Sequence, residues 1–101
     1  MSPTIWLELC RTSEERNDYK RALSEFRKLA AAYPTERQGL IAQLGAARIL
    51  LTRLDRHDEA LRLYQAASAS AVPHLDLESD IELGLREART ALSRRVSMVT
   101  T

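Results

Sequence analysis

The sequence predicts an all-α protein, and three observations support this fold class. Ala, Leu, Arg and Glu, which are good helix formers, dominate the 101 residues. Only three glycines and three prolines interrupt the chain. Apolar residues recur at helical spacing in five segments, so we expect five helices. The predicted helices span 3–16, 18–33, 36–54, 56–70 and 75–96.

The first two helices have recognisable start and end signals. Ser2 is a predicted N-cap, and Pro3 suits the first helical turn. Asn17 and Asp18 favour a turn, because their side chains bond to nearby backbone. Pro34 ends the second helix, since the residue before a proline avoids the α region. The predicted apolar stripes are Ile5, Trp6, Leu9 and Cys10, then Tyr19, Ala22, Leu23, Phe26, Leu29, Ala30 and Tyr33.

The third helix is predicted to be the most buried. Thr35 and Gln38 match a capping box, in which the threonine caps the helix and the glutamine reaches back to it. Apolar residues surround much of the circumference, so neighbours should contact the helix from several sides. These residues are Leu40, Ile41, Leu44, Ala46, Ala47, Ile49, Leu50, Leu51 and Leu54.

The last two helices carry charges where the helix dipole favours them. Asp58 and Glu59 lie in the first turn of the fourth helix, and Pro73 follows its end. The fifth helix begins with acidic residues and ends with arginines. Its apolar stripe is Leu77, Ile81, Leu85, Ala88 and Leu92. Residues 97–101 are expected to be a frayed tail.

Charge and composition exclude several classes of partner. Fifteen Lys and Arg against fourteen Asp and Glu leave a net charge of +1, so nucleic acid or an anionic membrane is not expected to be the main partner. No apolar run approaches the roughly 20 residues of a membrane span, and no targeting segment is recognisable. The single cysteine, Cys10, cannot form an internal disulfide. A reducing compartment, the cytoplasm, is therefore predicted.

Few residues offer chemistry, so we predict neither an enzyme nor a bound cofactor or metal. His57 and His74 could belong to metal sites, but zinc needs three or four converging ligands, and both fit polar helix starts better. Cys10 could be a nucleophile, but it lies on an apolar stripe where a small core residue is expected. Trp6 could stack on a ligand, although its spacing from Leu9 favours a core position.

An internal repeat relates two parts of the chain. Residues 17–26 align with 55–64: each segment has a polar turn, an Ala-Leu pair and an aromatic residue four positions after the alanine. Ala22 and Phe26 thus correspond to Ala60 and Tyr64. Leu44-Gly45 and Leu83-Gly84 also repeat, and glycine inside a helix indicates close packing. We expect the two alanine–aromatic pairs to occupy equivalent places in two helical hairpins.

These residues resemble the tetratricopeptide repeat family, whose unit is a helix–turn–helix of about 34 residues. The resemblance implies one domain, 1–101, folded as a short right-handed solenoid of stacked hairpins: repeats 3–34 and 35–73, with 75–96 as a capping helix. Asn17 stands where the family usually has glycine. The matching residues are Trp6, Leu9, Asn17, Asp18, Tyr19, Ala22, Phe26 and Pro34, then Leu44, Ala47, Leu51, Asp55, Ala60, Tyr64, Ala67 and Pro73.

The resemblance also implies a groove lined by the first helix of each hairpin. Arg11 and Arg53 beside Leu7 and Ile49 would suit an amphipathic peptide. Alternatively, Leu7 and Ile49 contact neighbouring helices and leave no apolar strip. The candidate partner-binding residues are Leu7, Glu8, Arg11, Glu15, Ile49, Thr52 and Arg53, with Gly45 beside them.

The function predicted from these features is that of a non-enzymatic protein–protein interaction module that presents a helical groove to a peptide or a partner protein. The alternative is a structural or oligomerisation domain, such as the cytoplasmic part of a larger protein. Solenoids typically need three or more repeats, so a homodimer formed through an uncovered helix face is also an expectation. A small enzyme, the third hypothesis, has no residue constellation to support it.

Overall fold

The computed structural model describes residues 1–100, with side chains described for residues 1–95, and it confirms the all-α class. The connections between α1 and α2, α2 and α3, and α3 and α4 are short, as in antiparallel helical hairpins. The described helices are α1 (Pro3–Glu15), α2 (Tyr19–Ala32), α3 (Arg37–Thr52), α4 (His57–Ser68) and α5 (Glu78–Thr100).

Two element boundaries, both of the fifth helix, differ from the sequence prediction by more than two residues. Leu75–Leu77, expected as the start of the fifth helix, is a separate 3₁₀ turn before α5. At the other end, α5 continues to Thr100, four residues beyond the predicted end at Val96. Thr101, the last residue of the predicted frayed tail, lies outside the described residues.

The predicted caps are confirmed at α1 and wrong at α3. The Ser2 hydroxyl accepts a hydrogen bond from the Ile5 backbone N–H at 3.2 Å. At α3 the N-cap is Glu36, which makes no side-chain capping bond, so the capping box of Thr35 does not form. The side-chain amide of Gln38 donates to the Thr4 hydroxyl instead, at 3.2 Å, and so ties α3 to α1.

The turns inside the two hairpins share an unusual backbone conformation. Asn17, between α1 and α2, has a φ of 62°, and Asp55, between α3 and α4, has a φ of 53°. Asn and Asp tolerate this left-handed region better than most residues, because their short polar side chains bond locally. Asn17 therefore serves where the resemblance expects glycine. Asn17 and Asp55, which are aligned in the internal repeat, therefore also share the same backbone conformation.

The helices pack in two layers around α3. Each helix contacts its neighbours in the chain, and α3 also contacts α1 and α5. Thus α1, α3 and α5 form one row, while α2 and α4 cover it. Ten of the sixteen residues of α3 are buried, as its apolar circumference predicted. No helix within the described residues combines the length and apolar character that a membrane crossing requires.

The two alanine–aromatic pairs occupy equivalent environments. Ala22, Phe26, Ala60 and Tyr64 are all buried. Phe26 lies against Gly45 of the following helix, where an added Cβ would stand 2.8 Å from the ring carbon Cε1. Tyr64 lies against Gly84 in the same manner, with a corresponding distance of 2.3 Å. Each aromatic ring thus needs a glycine in the next helix, which explains the repeated Leu-Gly pairs.

Trp6 anchors α1 to α2. Its ring meets that of Tyr33 edge-on, with centroids 6.5 Å apart. The indole N–H donates to Glu25 Oε2 at 3.0 Å, and this hydrogen bond is the main reason that the pKa of the Glu25 carboxyl lies below its usual value. Trp6 is therefore half-buried at the edge of the core, whereas Ile5 and Leu9, which the sequence places on the same apolar stripe, are exposed.

Cys10 is a core residue, with 0% of its surface exposed. Burial, with a smaller contribution from the charge of Glu25, raises the pKa of the thiol from 9.0 to about 11. Because the thiolate is the reactive form, we expect alkylation by iodoacetamide at pH 8 to be at least about a hundredfold slower in the folded protein than in the urea-unfolded chain. Mass spectrometry of timed samples measures both rates. Equal rates would contradict this burial.

Candidate functional site

The structure does not assemble the predicted groove as a continuous apolar strip. Leu7 is 5% exposed and Ile49 is 0% exposed, so both belong to the core. Leu7 lies on α1 and Ile49 on α3, at positions that face other helices. Their burial removes the apolar part of the predicted surface and agrees with the alternative interpretation, in which they contact neighbouring helices. Gly45, beside them in the prediction, packs against Phe26.

The polar members of the predicted groove are exposed but separate. Glu8 and Arg11 form an ion pair of 3.0 Å along α1, and Glu15 is the last residue of that helix. The Arg53 guanidinium lies 4.9 Å above the centre of the Tyr19 ring, so it turns toward α2. Thr52 remains at a surface depression. We call this depression the α3–α5 cleft.

The α3–α5 cleft has a volume of about 300 Å³ and is formed by three helices. Leu44 and Leu51 supply apolar surface from α3, and Leu83 supplies it from α5. Tyr64 reaches the cleft from α4, beneath the other two helices. The close approach of α5 that Gly84 allows therefore also forms the cleft. Its remaining lining is charged or polar: Arg48, Thr52, Asp80 and Glu87.

Tyr64 contributes a hydroxyl group to this cleft from a ring that is largely buried. The residue is only 6% exposed. Its hydroxyl forms no hydrogen bond with any described residue. Burial raises the pKa of the phenol; the charge of Arg48 opposes the shift, and Glu87 and Asp80 add to it. The hydroxyl oxygen keeps access to solvent at the cleft, so it can accept or donate a hydrogen bond to a ligand there.

The two walls of the cleft differ in how their charges are satisfied. On the α3 wall, the Arg48 guanidinium binds the Glu14 carboxylate of α1 through Nε at 3.1 Å and Nη2 at 2.7 Å. On the α5 wall, Asp80 and Glu87 lie two turns apart on one face, and neither forms an ion pair within the part of the chain that the structure describes. The cleft therefore has uncompensated negative charge on one side.

The chemical groups of the cleft are carboxylates, hydroxyls and a paired guanidinium on an apolar floor. The lining contains no histidine, cysteine or serine that could act beside the two carboxylates. Across residues 1–95, no group of three His, Cys, Asp or Glu residues is placed to hold a metal ion. A cationic side chain with an apolar stem matches the cleft, because the stem can lie on leucines while the charge reaches a carboxylate.

The two histidines do not share a site. His57 begins α4, with Nε2 at 3.6 Å from Asp55 Oδ1, whereas His74 follows the helix and its Nδ1 lies 2.7 Å from the Val72 carbonyl oxygen. His57 is the first residue of α4, and His74 lies six residues beyond the last residue of that helix, Ser68. Both residues lie at helix starts, where the sequence analysis expects polar side chains.

Sequence reasoning identified Thr52 but not the charged residues around it. The sequence analysis assigns no site to Arg48, and it treats the acidic residues at the start of the fifth helix, which include Asp80, only as partners of the helix dipole. A usable signal was present: Asp80 and Glu87 flank the Leu83-Gly84 pair at a spacing of seven residues, which places both on the face that packs toward α4. Periodicity could not show where this face of α5 lies relative to α3.

Comparisons with known proteins add no assignment. No family model matches the chain, and no curated protein or solved structure matches it. The resemblance to tetratricopeptide repeats therefore remains a prediction that rests on the residues named above. The structure describes an all-α fold.

Proposed function

We propose that this chain is a non-enzymatic protein-binding module and that the α3–α5 cleft binds a partner segment in which a Lys or Arg side chain stands among apolar residues. The stem of the cation would lie along Leu51 and Leu83, and its charged end would reach Asp80 and Glu87. The Tyr64 hydroxyl would accept a hydrogen bond from the same ammonium or guanidinium group.

The observation that carries this proposal is the Tyr64 hydroxyl, which has no hydrogen-bond partner among residues 1–95, beside two carboxylates that form no ion pair with those residues. Arg48 already forms an ion pair with Glu14, so the positive charge on the α3 wall is compensated without an anionic ligand. Both features favour a ligand that is cationic and donates hydrogen bonds. The leucines around them favour one that is also partly apolar.

Selection from a library of random dodecapeptides tests the proposal. We expect the selected peptides to share a Lys or Arg next to Leu, Ile, Met or Phe. For such a peptide, the double variant Asp80→Lys/Glu87→Lys should weaken binding about tenfold or more, because two attractions become repulsions. Fluorescence anisotropy with the labelled peptide measures the affinity.

Two further variants make this experiment specific. Glu78→Lys/Glu82→Lys makes the same charge change on exposed positions of α5 that do not line the cleft, so it should weaken binding much less. Tyr64→Phe removes only the hydroxyl and should reduce affinity about two- to tenfold with little change in stability. Selected peptides without a cation, or equal losses in both double variants, would contradict the proposed site.

The alternative function, oligomerisation, remains a prediction, and it would use a different surface of the protein. Ile5 is 59% exposed and Leu9 is 50% exposed on α1. They lie one turn apart, so they form a small apolar strip at the end of the helix row. Neither residue lines the α3–α5 cleft, and the two functions can therefore be separated experimentally.

A further inference from the structure

A second surface depression lies on α2 and has a different chemistry. We call it the basic groove; its volume is about 600 Å³. Half-buried Leu54 supplies its apolar surface, Leu23, which is 5% exposed, lies at its floor, and Ser24 supplies a hydroxyl group. The basic groove shares no residue with the α3–α5 cleft. Its remaining lining is cationic: Lys20, Arg27, Lys28 and Arg56.

The cations of the basic groove exceed the carboxylates that accompany them. Glu59 of α4 accepts from Arg27 at 2.9 Å and from Arg56 at 2.6 Å, so one carboxylate holds both guanidinium groups. Glu25 lies 3.5 Å from the Lys28 ammonium. Two carboxylates thus accompany four cations, and the groove keeps a positive charge although the whole chain has a net charge of only +1.

The two arginines are positioned in advance of any ligand. Arg56 uses Nε and Nη2 for Glu59, whereas Arg27 uses only Nη2. The shared carboxylate therefore fixes the guanidinium groups across the gap between α2 and α4 while leaving other N–H groups of Arg27 free for an acceptor. Fixed donors lose less side-chain entropy on binding than free ones.

We propose that the basic groove binds an acidic peptide segment of a partner protein, in which Asp or Glu residues flank an apolar side chain. The apolar side chain would lie on Leu54 at the floor that Leu23 forms, and the carboxylates would contact Lys20, Lys28 and Arg27. This is a site beyond the α3–α5 cleft, with the opposite charge preference. A partner could engage both sites at once only through segments of opposite sign.

Charge and shape favour a peptide over a nucleic acid as the occupant. Single-stranded nucleic acids bind grooves in which aromatic rings stack on the bases, and the lining of the basic groove contains no aromatic residue. Its apolar surface is instead supplied by two leucines, which suit an aliphatic side chain. Only four cations line it, and two of them share a carboxylate, so an extended polyanion gains few phosphate contacts.

Fluorescence anisotropy with designed peptides tests this proposal. The probe is a labelled dodecapeptide that alternates Glu and Leu, and its counterpart has Gln in place of every Glu. We expect the Glu peptide to bind, the Gln peptide to bind at least about tenfold more weakly, and the difference to shrink as the salt concentration rises. Lys20→Glu/Lys28→Glu should weaken binding of the Glu peptide about tenfold.

A second variant and a matched control guard against effects on folding. Ser24→Glu places a carboxylate in the groove without breaking an ion pair and should weaken binding as well. Arg62→Glu/Arg94→Glu changes the net charge equally at exposed positions outside the groove and should leave affinity within about twofold. Circular dichroism confirms that each variant is helical.

Three outcomes would overturn the proposal. One is no binding of the Glu peptide at low salt; another is equal loss in the groove and control variants. The third is tighter binding of an oligouridylate or of phosphatidylserine vesicles, lost in the same groove variants, because it would identify a polyanion other than a peptide as the occupant. The variants of this experiment leave Asp80 and Glu87 unchanged, so its failure does not bear on the α3–α5 cleft.

Discussion

Replacing Gly39 with Ala should destabilise the fold by about 3 kcal/mol, although alanine is the better helix former. A Cβ at this position would stand only 1.9 Å from the backbone oxygen of Tyr33 and 2.8 Å from its carbonyl carbon. Backbone atoms cannot rotate away as a flexible side chain can. The substitution therefore forces apart the end of α2 and the start of α3.

The surrounding turn leaves little room for relief. Tyr33 is the C-cap of α2, and its carbonyl oxygen also accepts a hydrogen bond from the Glu36 N–H at 3.2 Å. Pro34 follows directly and restricts the backbone of both residues. Moving the Tyr33 carbonyl thus disturbs the cap, the turn and the interface between α2 and α3 together.

Urea denaturation followed by circular dichroism measures the predicted loss. Gln38→Ala is the matched control, because it adds no atom near Tyr33 and removes only the exposed hydrogen bond to Thr4. It should cost less than about 1 kcal/mol. If Gly39→Ala instead stabilised the protein by about 1 kcal/mol, as expected for an unhindered helical glycine, α3 could not begin this close to Tyr33.

The fold was more predictable from sequence than the site, for a physical reason. Helical periodicity reports which residues share a face, and it correctly placed Phe26 and Tyr64 on the buried faces of α2 and α4. The predicted cap at Thr35 failed because short-range patterns compete closely at helix starts. There, Gln38 bonded across to Thr4 rather than back along its own chain.

Which residues form a functional surface depends on how the helices are rotated relative to one another. Helical periodicity in the sequence gives no information about that rotation. Leu7 and Ile49 were candidates for a groove, yet both turned into the core. Arg48 drew no functional prediction, yet it lines the α3–α5 cleft. A net charge of +1 argues against nucleic acid or an anionic membrane as the main partner, but it does not show that four cations line the basic groove. A whole-chain sum says little about how charges are distributed.

Replacing Phe26 with Ala should cost about 3–5 kcal/mol, the usual range for a buried phenylalanine. The ring is 1% exposed and fills the space between α2 and Gly45 of α3. Its removal leaves a cavity that helix backbones cannot readily close. For a chain of 101 residues this is a large part of the total stability. Thermal and urea unfolding provide the measurement, with Ala66, which is already small and exposed, mutated to Ser as a surface control.

The contact between Phe26 and Gly45 makes the two substitutions non-additive. Gly45→Ala in the native chain should cost about 1–2 kcal/mol net, because the new Cβ meets the ring at 2.8 Å. In the Phe26→Ala background the ring is gone, so the same change should instead stabilise the protein by about 1 kcal/mol through helix propensity. If Phe26→Ala does not fold, Phe26→Leu provides a milder background in which the cost of Gly45→Ala should still fall.

The same cycle applied to Tyr64 and Gly84 tests whether the two hairpins are built alike. A Cβ at Gly84 would approach the Tyr64 ring to 2.3 Å, closer than at Gly45, so the coupling free energy should have the same sign and at least equal size. Tyr64→Phe keeps the ring and should leave the cost of Gly84→Ala unchanged, which separates packing from the hydroxyl proposed to bind a partner. Additive effects at Tyr64 and Gly84, combined with strong coupling at Phe26 and Gly45, would show that the two aromatic residues play different structural roles. The internal repeat in the sequence would then not correspond to a repeat in the packing energetics.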